Sequence, residues 1–156
     1  MTTADLKALF SSGTDGTVLV ITVGNLFRGD DGAGPYIAGN VGVPAGNLFV
    51  MDAGDRPESI LDRVPDIKPQ KTIIIDAADF GGAAGEIRLI PEDTVSNVIL
   101  STHRFPLAAI GMLIAADTGS EVNYLGIQPA ELGFGQGLSP EVRKAADAIA
   151  EVLLNG

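Results

Sequence analysis

Four side chains in the sequence have the types needed for metal or acid–base chemistry: Asp31, Asp52, Asp76 and His103. Asp76 directly follows the apolar run 72–75, and an acid there must be hydrogen-bonded, paired or metal-bound to offset its desolvation. His103 is the only histidine in the chain. With Asp31 and Asp76 it completes a set of two carboxylates and one imidazole, which first-row divalent metals accept. These three residues are therefore a candidate metal site.

Each candidate also has an ordinary structural interpretation. Asp31 precedes Gly32 and a predicted helix, so it could be an N-cap that accepts backbone N–H groups. Asp52 lies just before Gly54 and could shape a turn. A lone histidine such as His103 is more often a packed or surface residue than a ligand. Because the candidates come from separate segments, no short motif establishes the site, and both interpretations stay open.

The elements that must position these residues alternate along the chain. Apolar or alternating runs predict strands at residues 17–23, 47–51, 72–75, 85–90 and 121–128. Helical spacing and helix-start signals predict helices at residues 4–10, 35–41, 57–64 and 106–116, and a last helix that Ser139 opens. We therefore expect an α/β fold, a three-layer sandwich with a central, twisted, mostly parallel sheet of about five strands and helices on both faces.

The predicted topology brings several carboxylates to one edge of the sheet. In an open parallel sheet, ligands bind beyond the carboxyl ends of the strands. Asp30 and Asp31 follow the first predicted strand, Asp52 closes the second, and Asp76 closes the third, with Asp79 just beyond. The sequence therefore predicts that these acids share a rim, where a cation could bind.

Length and hydrophobicity restrict the architecture. The 156 residues are typical of a single domain, here 1–156, in which residues 1–16 form an N-terminal extension before the first strand. The longest uncharged apolar stretch, 106–116, is shorter than the ~20 residues that span a bilayer, which argues against membrane insertion. The N-terminus has no apolar block of signal-peptide length, so we expect a cytoplasmic protein.

Cysteine usage and net charge restrict the chemistry. The chain has no cysteine, which excludes disulfides and thiolate metal sites and leaves oxygen and nitrogen as metal ligands. Its net charge is −10, and a surface of this sign repels phosphate backbones unless a basic patch offsets it. The sequence contains no such patch, so we expect no nucleic-acid partner.

Other enzyme signatures fit poorly. The sequence has no Gly-x-Ser-x-Gly motif, no His-Glu-x-x-His motif and no Walker loop. A dinucleotide-binding domain is the strongest rival, but Ile37 stands where the third glycine of its fingerprint belongs. Asp30 and Asp31 would also place negative charge where the pyrophosphate docks. We therefore rank a nucleotide-binding function last.

Four motifs closely resemble the hydrogenase maturation proteases: GNLFRGDDGAGP at 24–35, VMDAG at 50–54, IDAAD at 75–79 and STHRFPL at 101–107. The segments GEIR at 85–88 and LGIQP at 125–129 also match, so the resemblance extends from about residue 17 to the last helix. The likeness is closest to the subgroup that serves formate-hydrogenlyase-type hydrogenases. One departure is that family members usually begin close to the first strand, whereas residues 1–16 precede it here.

The resemblance implies a specific activity. Such enzymes are endopeptidases that remove a short C-terminal extension from the nickel–iron hydrogenase large-subunit precursor after nickel insertion. Carried over by motif, Asp31, Asp76 and His103 become metal ligands and catalytic residues, and Asp52 positions the substrate or activates water. The nickel is supplied by the substrate protein, although other divalent cations can occupy such a site in vitro. We expect a monomer or a weak homo-oligomer.

A different class of function shares these features. A maturation chaperone that binds the metal or the subunit without cleaving a peptide bond could use the same rim only to hold its partner. Saturable binding without cleavage would distinguish it from the peptidase.

Overall fold

The computed structural model describes residues 1–13, 15–44, 46–100, 105–135 and 137–155. The strands are β1 (Val18–Val23), β2 (Leu48–Gly54), β3 (Lys71–Ala77), β4 (Ile87–Ile90) and β5 (Glu121–Ile127). The α-helices are α1 (Thr3–Leu9), α2 (Ala33–Val41), α3 (Val64–Ile67), α4 (Val95–Val98), α5 (Leu107–Thr118) and α6 (Pro140–Asn155). Short 3-10 turns lie at Gly29–Gly32, Pro57–Ile60 and Glu92–Thr94.

The five strands form one sheet in the order β2-β1-β3-β5-β4. The first four strands in this order are parallel, and the edge strand β4 runs antiparallel to β5. From β1 the chain leads to β2 on one side, and β3 then adds to the other side. The strand order therefore reverses between β1 and β3, which is the position where open α/β sheets bind ligands.

Helices cover both faces of the sheet, which confirms the predicted α/β sandwich. Because successive strand residues point to opposite faces, Val20 and Ile73 pack in one cluster and Ile21 and Ile74 in the other. The first cluster includes residues of α1, α2 and α6, and the second includes residues of α3, α4 and α5. The core thus consists of two apolar layers on either side of a buried sheet.

The predicted N-terminal helix forms and packs against α6. A capping box starts it: Asp5 N donates to Thr2 Oγ1 at 3.1 Å, and Thr2 N donates to Asp5 Oδ2 at 2.7 Å. Leu6 and Leu9 are buried in the first core cluster. Lys71 Nζ donates to Leu9 O at 3.0 Å, which ties the end of the helix to the start of β3.

The predicted helix at 57–64 is wrong. The segment forms the 3-10 turn Pro57–Ile60 and then the separate helix α3, with Pro65 in the first turn of α3. Within the segment, Leu61 N donates to Glu58 O and Arg63 N donates to Ile60 O; these bonds span three residues, as in 3-10 turns, and not the four residues of an α-helix. Ile60 and Val64 are nevertheless both buried, as their spacing indicated.

Two strands are longer than the sequence predicts, and this changes the setting of two acids. Asp52 lies inside β2, opposite Thr22 of β1, and Asp76 lies inside β3, opposite Gly126 of β5. Neither acid closes its strand, because the hydrogen-bonded ladder continues past it to Gly54 and Ala77. A strand can contain an acid near its end when the neighbouring strand continues to supply backbone partners.

Only one side of the apolar helix α5 is covered. Leu107, Ile110 and Ile114 are buried in the second core cluster, whereas Met112 and Leu113 are exposed.

Within the described ranges, no helix is both long enough and apolar enough to cross a membrane.

Candidate active site

The loop after β1 fixes Asp31 at the carboxyl edge of the sheet. Asn25 N donates to the main-chain oxygen of Asp31 at 3.0 Å and to its Oδ2 at 3.2 Å, and the carboxylate is buried. Gly24 has φ +149°, and a Cβ there would lie 2.0 Å from Asp31 O, so this close approach requires glycine. The N-cap of α2 is Gly32, so the N-cap interpretation of Asp31 is wrong.

The neighbouring Asp30 has a structural role. It is fully buried, and its carboxylate accepts from Ala130 N and Glu131 N, both at 2.8 Å, and from Ser139 N at 2.7 Å and Ser139 Oγ at 2.9 Å. Asp30 N in turn donates to Glu131 O at 2.7 Å. These bonds join the turn that carries Asp31 to the loop before α6. Two adjacent acids therefore have separate roles, and Asp30 is occupied by the scaffold.

Asp76 lies near the end of β3, the strand next to β1. It is buried, and its Oδ1 accepts a hydrogen bond from Ala77 N at 2.8 Å. β1 and β3 are parallel, with Thr22 opposite Ile75, and the turn Gly29–Gly32 contacts β3. Asp31 and Asp76 thus lie at the carboxyl ends of adjacent strands, at the point where the strand order reverses.

Asp52 lies on the same edge of the sheet but one strand further away, on β2. Its side chain is exposed, and its Oδ1 accepts from Thr22 Oγ1 at 3.1 Å and from Gly54 N at 2.9 Å. The β1–β2 register shifts here, so that Val23 pairs with Gly54 instead of Ala53. Asp52 therefore shapes this bulge, as the turn interpretation indicated, and presents a fixed carboxylate at the rim.

The predicted ligand His103 lies outside the described residues, together with Ser101, Thr102 and Arg104. The segment that leads into them is attached to the rim, because Asp79 N donates to Val98 O at 2.8 Å and Ala78 forms a β-bridge with Ile99. No group of three His, Cys, Asp or Glu side chains suited to a metal occurs among the residues that the structure describes. His103 is not one of these residues, so the three-ligand site stays a prediction.

Gln128, which directly follows β5, holds the loop beyond Asp76. Its side chain is buried; Oε1 accepts from Phe80 N at 3.0 Å and Gly82 N at 3.1 Å, and Nε2 donates to Asp79 Oδ1 at 3.0 Å. The hydrogen bond from Gln128 lowers the pKa of the Asp79 carboxyl. Sequence reasoning missed this role; the only available signal was the glutamine of the LGIQP segment, in a chain otherwise apolar at that point.

The donor atoms at the rim suit a divalent cation. Asp31 and Asp76 supply carboxylate oxygens, and an imidazole from His103 would add a nitrogen, which is a mixed ligand set that nickel and its neighbours accept. Such a set leaves coordination positions open for groups from a second molecule.

Comparisons with known proteins show which family the chain is similar to. The family model HycI, hydrogenase maturation protease, matches residues 37–156. The hydrogenase 3 maturation protease of Escherichia coli K12 is 36% identical over 139 residues, which is 88% of this chain and 88% of that protein.

Solved structures give the same result. The solution structure of the endopeptidase HycI from Escherichia coli has a TM-score of 0.79 and 35% identity, covering 89% of this chain and 90% of that one. The crystal structure of the [NiFe] hydrogenase maturation protease HycI from Thermococcus kodakarensis KOD1 has a TM-score of 0.84 and 28% identity, covering 97% of each chain. The predicted resemblance and the predicted peptidase class are thereby confirmed. The chain belongs to the hydrogenase maturation protease family and is a hydrogenase maturation endopeptidase.

Proposed function

We propose that the protein removes the C-terminal extension of a nickel–iron hydrogenase large-subunit precursor after nickel insertion, and recognises the nickel through Asp31, Asp76 and His103. The observation that carries this proposal is the placement of two buried carboxylates, Asp31 and Asp76, at the carboxyl ends of adjacent strands. Ile99, four residues before His103, is bridged to Ala78 beside the same rim. This anchoring supports a third ligand from the segment that follows.

Recognition of nickel explains the order of maturation. Three protein ligands with open positions hold a free ion weakly, whereas an ion fixed in the precursor arrives together with the rest of a large binding surface. The precursor therefore binds more tightly when nickel is present. The ion belongs to the substrate, and removal of free metal from the isolated enzyme should leave its fold intact.

Asp52 is the best placed side chain for a second role at the rim. Thr22 and Gly54 hold it through Oδ1, and the carboxylate stays exposed to solvent and to an incoming peptide. An exposed carboxylate held in one orientation can accept a proton from water or a hydrogen bond from a peptide N–H. We assign Asp52 to positioning of the substrate or activation of water.

The direct experiment compares nickel-loaded and nickel-free precursor. Intact-protein mass spectrometry should show loss of a C-terminal fragment only from the nickel-loaded form. Asp76→Asn, which keeps the size of the side chain but removes its charge, should abolish the cleavage. Asp66→Asn is the matched control, because Asp66 is exposed on α3, at the end of the sheet where β3 begins.

Three outcomes are informative, and each would contradict a different part of the proposal. An uncleaved nickel-loaded precursor would contradict the C-terminal processing, and binding without cleavage would favour the maturation chaperone. Equal cleavage of both precursor forms would contradict nickel recognition. Full activity of Asp76→Asn would contradict the assignment of that ligand.

A further inference from the structure

Three large apolar side chains are exposed beside the candidate site. Leu26 is 58%, Phe27 69% and Phe134 83% exposed. Leu26 and Phe27 lie on the loop after β1, and Phe134 lies on the loop before α6. Gly135 N donates to Phe27 O at 2.8 Å, so the two loops are in direct contact. We call these three side chains the apolar rim surface.

The backbone that presents this surface is fixed by hydrogen bonds. Phe27 N donates to Asn25 Oδ1 at 2.9 Å, and Arg28 N donates to Asn25 O at 3.1 Å. Gly29 has φ +54°, and a Cβ there would lie 2.5 Å from Glu131 O, so the loops are closely apposed. Side chains held in advance on a rigid backbone bind a partner at a lower entropic cost than side chains on a mobile loop.

The apolar rim surface is continuous with the candidate site. Asn25, which orders Phe27, also donates its N–H to Asp31. The loop that holds Asp31 in place therefore also carries Leu26 and Phe27. Exposed apolar patches rimmed by polar residues are typical of protein-binding sites.

The charge around this surface indicates the chemistry of the partner. The exposed acids at the same edge are Asp52 and Asp55 at the end of β2, Asp79 after β3 and Glu131 before α6. The bases there are the partly buried Arg28, beside Phe27, and the exposed Arg56, so acids outnumber bases among the described residues of this edge. The chain as a whole carries a net charge of −10. Complementary charge steers association and selects partners, so a partner with basic residues next to apolar ones fits this rim.

We propose that the apolar rim surface docks the precursor segment next to the scissile bond, an extended polypeptide with apolar side chains flanked by basic ones. This inference rests on the proposed function, because it takes the hydrogenase large-subunit precursor as the partner. Nickel then supplies the check of maturation, and the apolar rim surface supplies affinity for the polypeptide. Leu26, Phe27 and Phe134 are specificity-determining residues in this scheme.

The test uses the full chain, a Phe27→Ser/Phe134→Ser double variant and Val43→Ser as the matched control. Val43 is 95% exposed and follows α2, at the opposite end of the sheet from the rim. With nickel-loaded precursor, the double variant should raise KM about tenfold or more and change kcat less than about twofold. Val43→Ser should match the parent, and urea unfolding should be the same for all three proteins because the altered side chains are exposed.

Binding to nickel-free precursor, measured by calorimetry, separates this inference from the proposed function. A parent that binds but never cleaves this precursor, with a double variant that loses affinity about tenfold, would contradict the proposed C-terminal processing and support docking. Unchanged KM and unchanged affinity in the double variant would overturn the docking surface. So would a parent that dimerises through this surface, with the double variant monomeric and its precursor affinity unaltered. Affinity that does not fall with added salt would overturn the basic character of the segment.

Discussion

The side-chain amide of Gln128 donates to Asp79 Oδ1 at 3.0 Å across 49 residues of sequence. The same side chain accepts two backbone N–H groups, those of Phe80 and Gly82. One buried residue after β5 thus determines the path of the chain after β3. That path passes beside Val98, to whose carbonyl Asp79 N donates.

Replacement of Gln128 by leucine should therefore destabilise the rim. The substitution keeps the approximate volume but leaves the N–H groups of Phe80 and Gly82 without their acceptor, at a cost of about 1–3 kcal/mol in unfolding free energy. Urea denaturation measures the loss, and precursor cleavage should fall with it. An unchanged unfolding midpoint in Gln128→Leu would contradict the role of this residue.

Substitution by asparagine should affect stability at Asp30 and precursor cleavage at Asp31. Asp30→Asn replaces an acceptor of four hydrogen bonds by a group that brings its own N–H donors against backbone N–H groups, so we expect a loss of about 2–4 kcal/mol in stability. Asp31→Asn should lose precursor cleavage with a smaller change in stability. Thermal denaturation and the mass-spectrometric cleavage assay together separate the two. The reverse pattern would show that the roles have been exchanged.

Gly111 on α5 makes room for the phenol of Tyr124. A Cβ at residue 111 would lie 1.9 Å from Tyr124 Oη, so Gly111→Ala should cost about 1–3 kcal/mol despite the better helix propensity of alanine. Among the described residues, Tyr124 Oη is one of two buried side-chain polar atoms without a hydrogen-bond partner. Tyr124→Phe should therefore be neutral or stabilising by up to about 1 kcal/mol. The double variant should recover part of the Gly111→Ala loss, and strict additivity in urea denaturation would contradict the contact.

The unfolding free energy should fall at alkaline pH because of the same phenol. Burial, with a smaller contribution from the charge of Glu92, raises the pKa of Tyr124 to about 12. An unfolded tyrosine ionises near pH 10, so the stabilisation is complete below about pH 10 and is lost as the pH rises toward about 12. The expected loss is about 2–3 kcal/mol. Unfolding free energies of the parent and Tyr124→Phe, measured from pH 8 upward at about half-unit steps, should diverge above about pH 10, with the parent falling below the variant; parallel curves would contradict this origin.

Local pattern was sufficient for most of the fold. The apolar runs before Gly24 and before Asp76 predict buried strands, and the alternation in 85–90 predicts an edge strand, all of which the structure contains. The helix predicted at 57–64 was the exception, because Ile60 and Val64 are buried at helical spacing while the backbone between them makes three-residue turns. Periodicity reports which residues face the core, but it does not distinguish one α-helix from a succession of tight turns.

The site was predictable only in part, because its contacts connect distant segments. Asp30 and Asp31 are adjacent and chemically identical, yet the partners of Asp30 lie about 100 residues away. Gln128 likewise acts on a loop 46–49 residues earlier. No propensity or spacing rule encodes such pairings. The predicted metal site of His103, Asp31 and Asp76 likewise joins residues from distant segments.

Diffraction at the nickel absorption edge tests this predicted three-residue site most directly. Crystals grown or soaked with nickel should show one anomalous peak at the end of β3, with ligand distances of about 2.0–2.2 Å to carboxylate oxygens of Asp31 and Asp76 and to a ring nitrogen of His103. A peak bound elsewhere, or one that the imidazole of His103 does not reach, would contradict the three-residue nickel site.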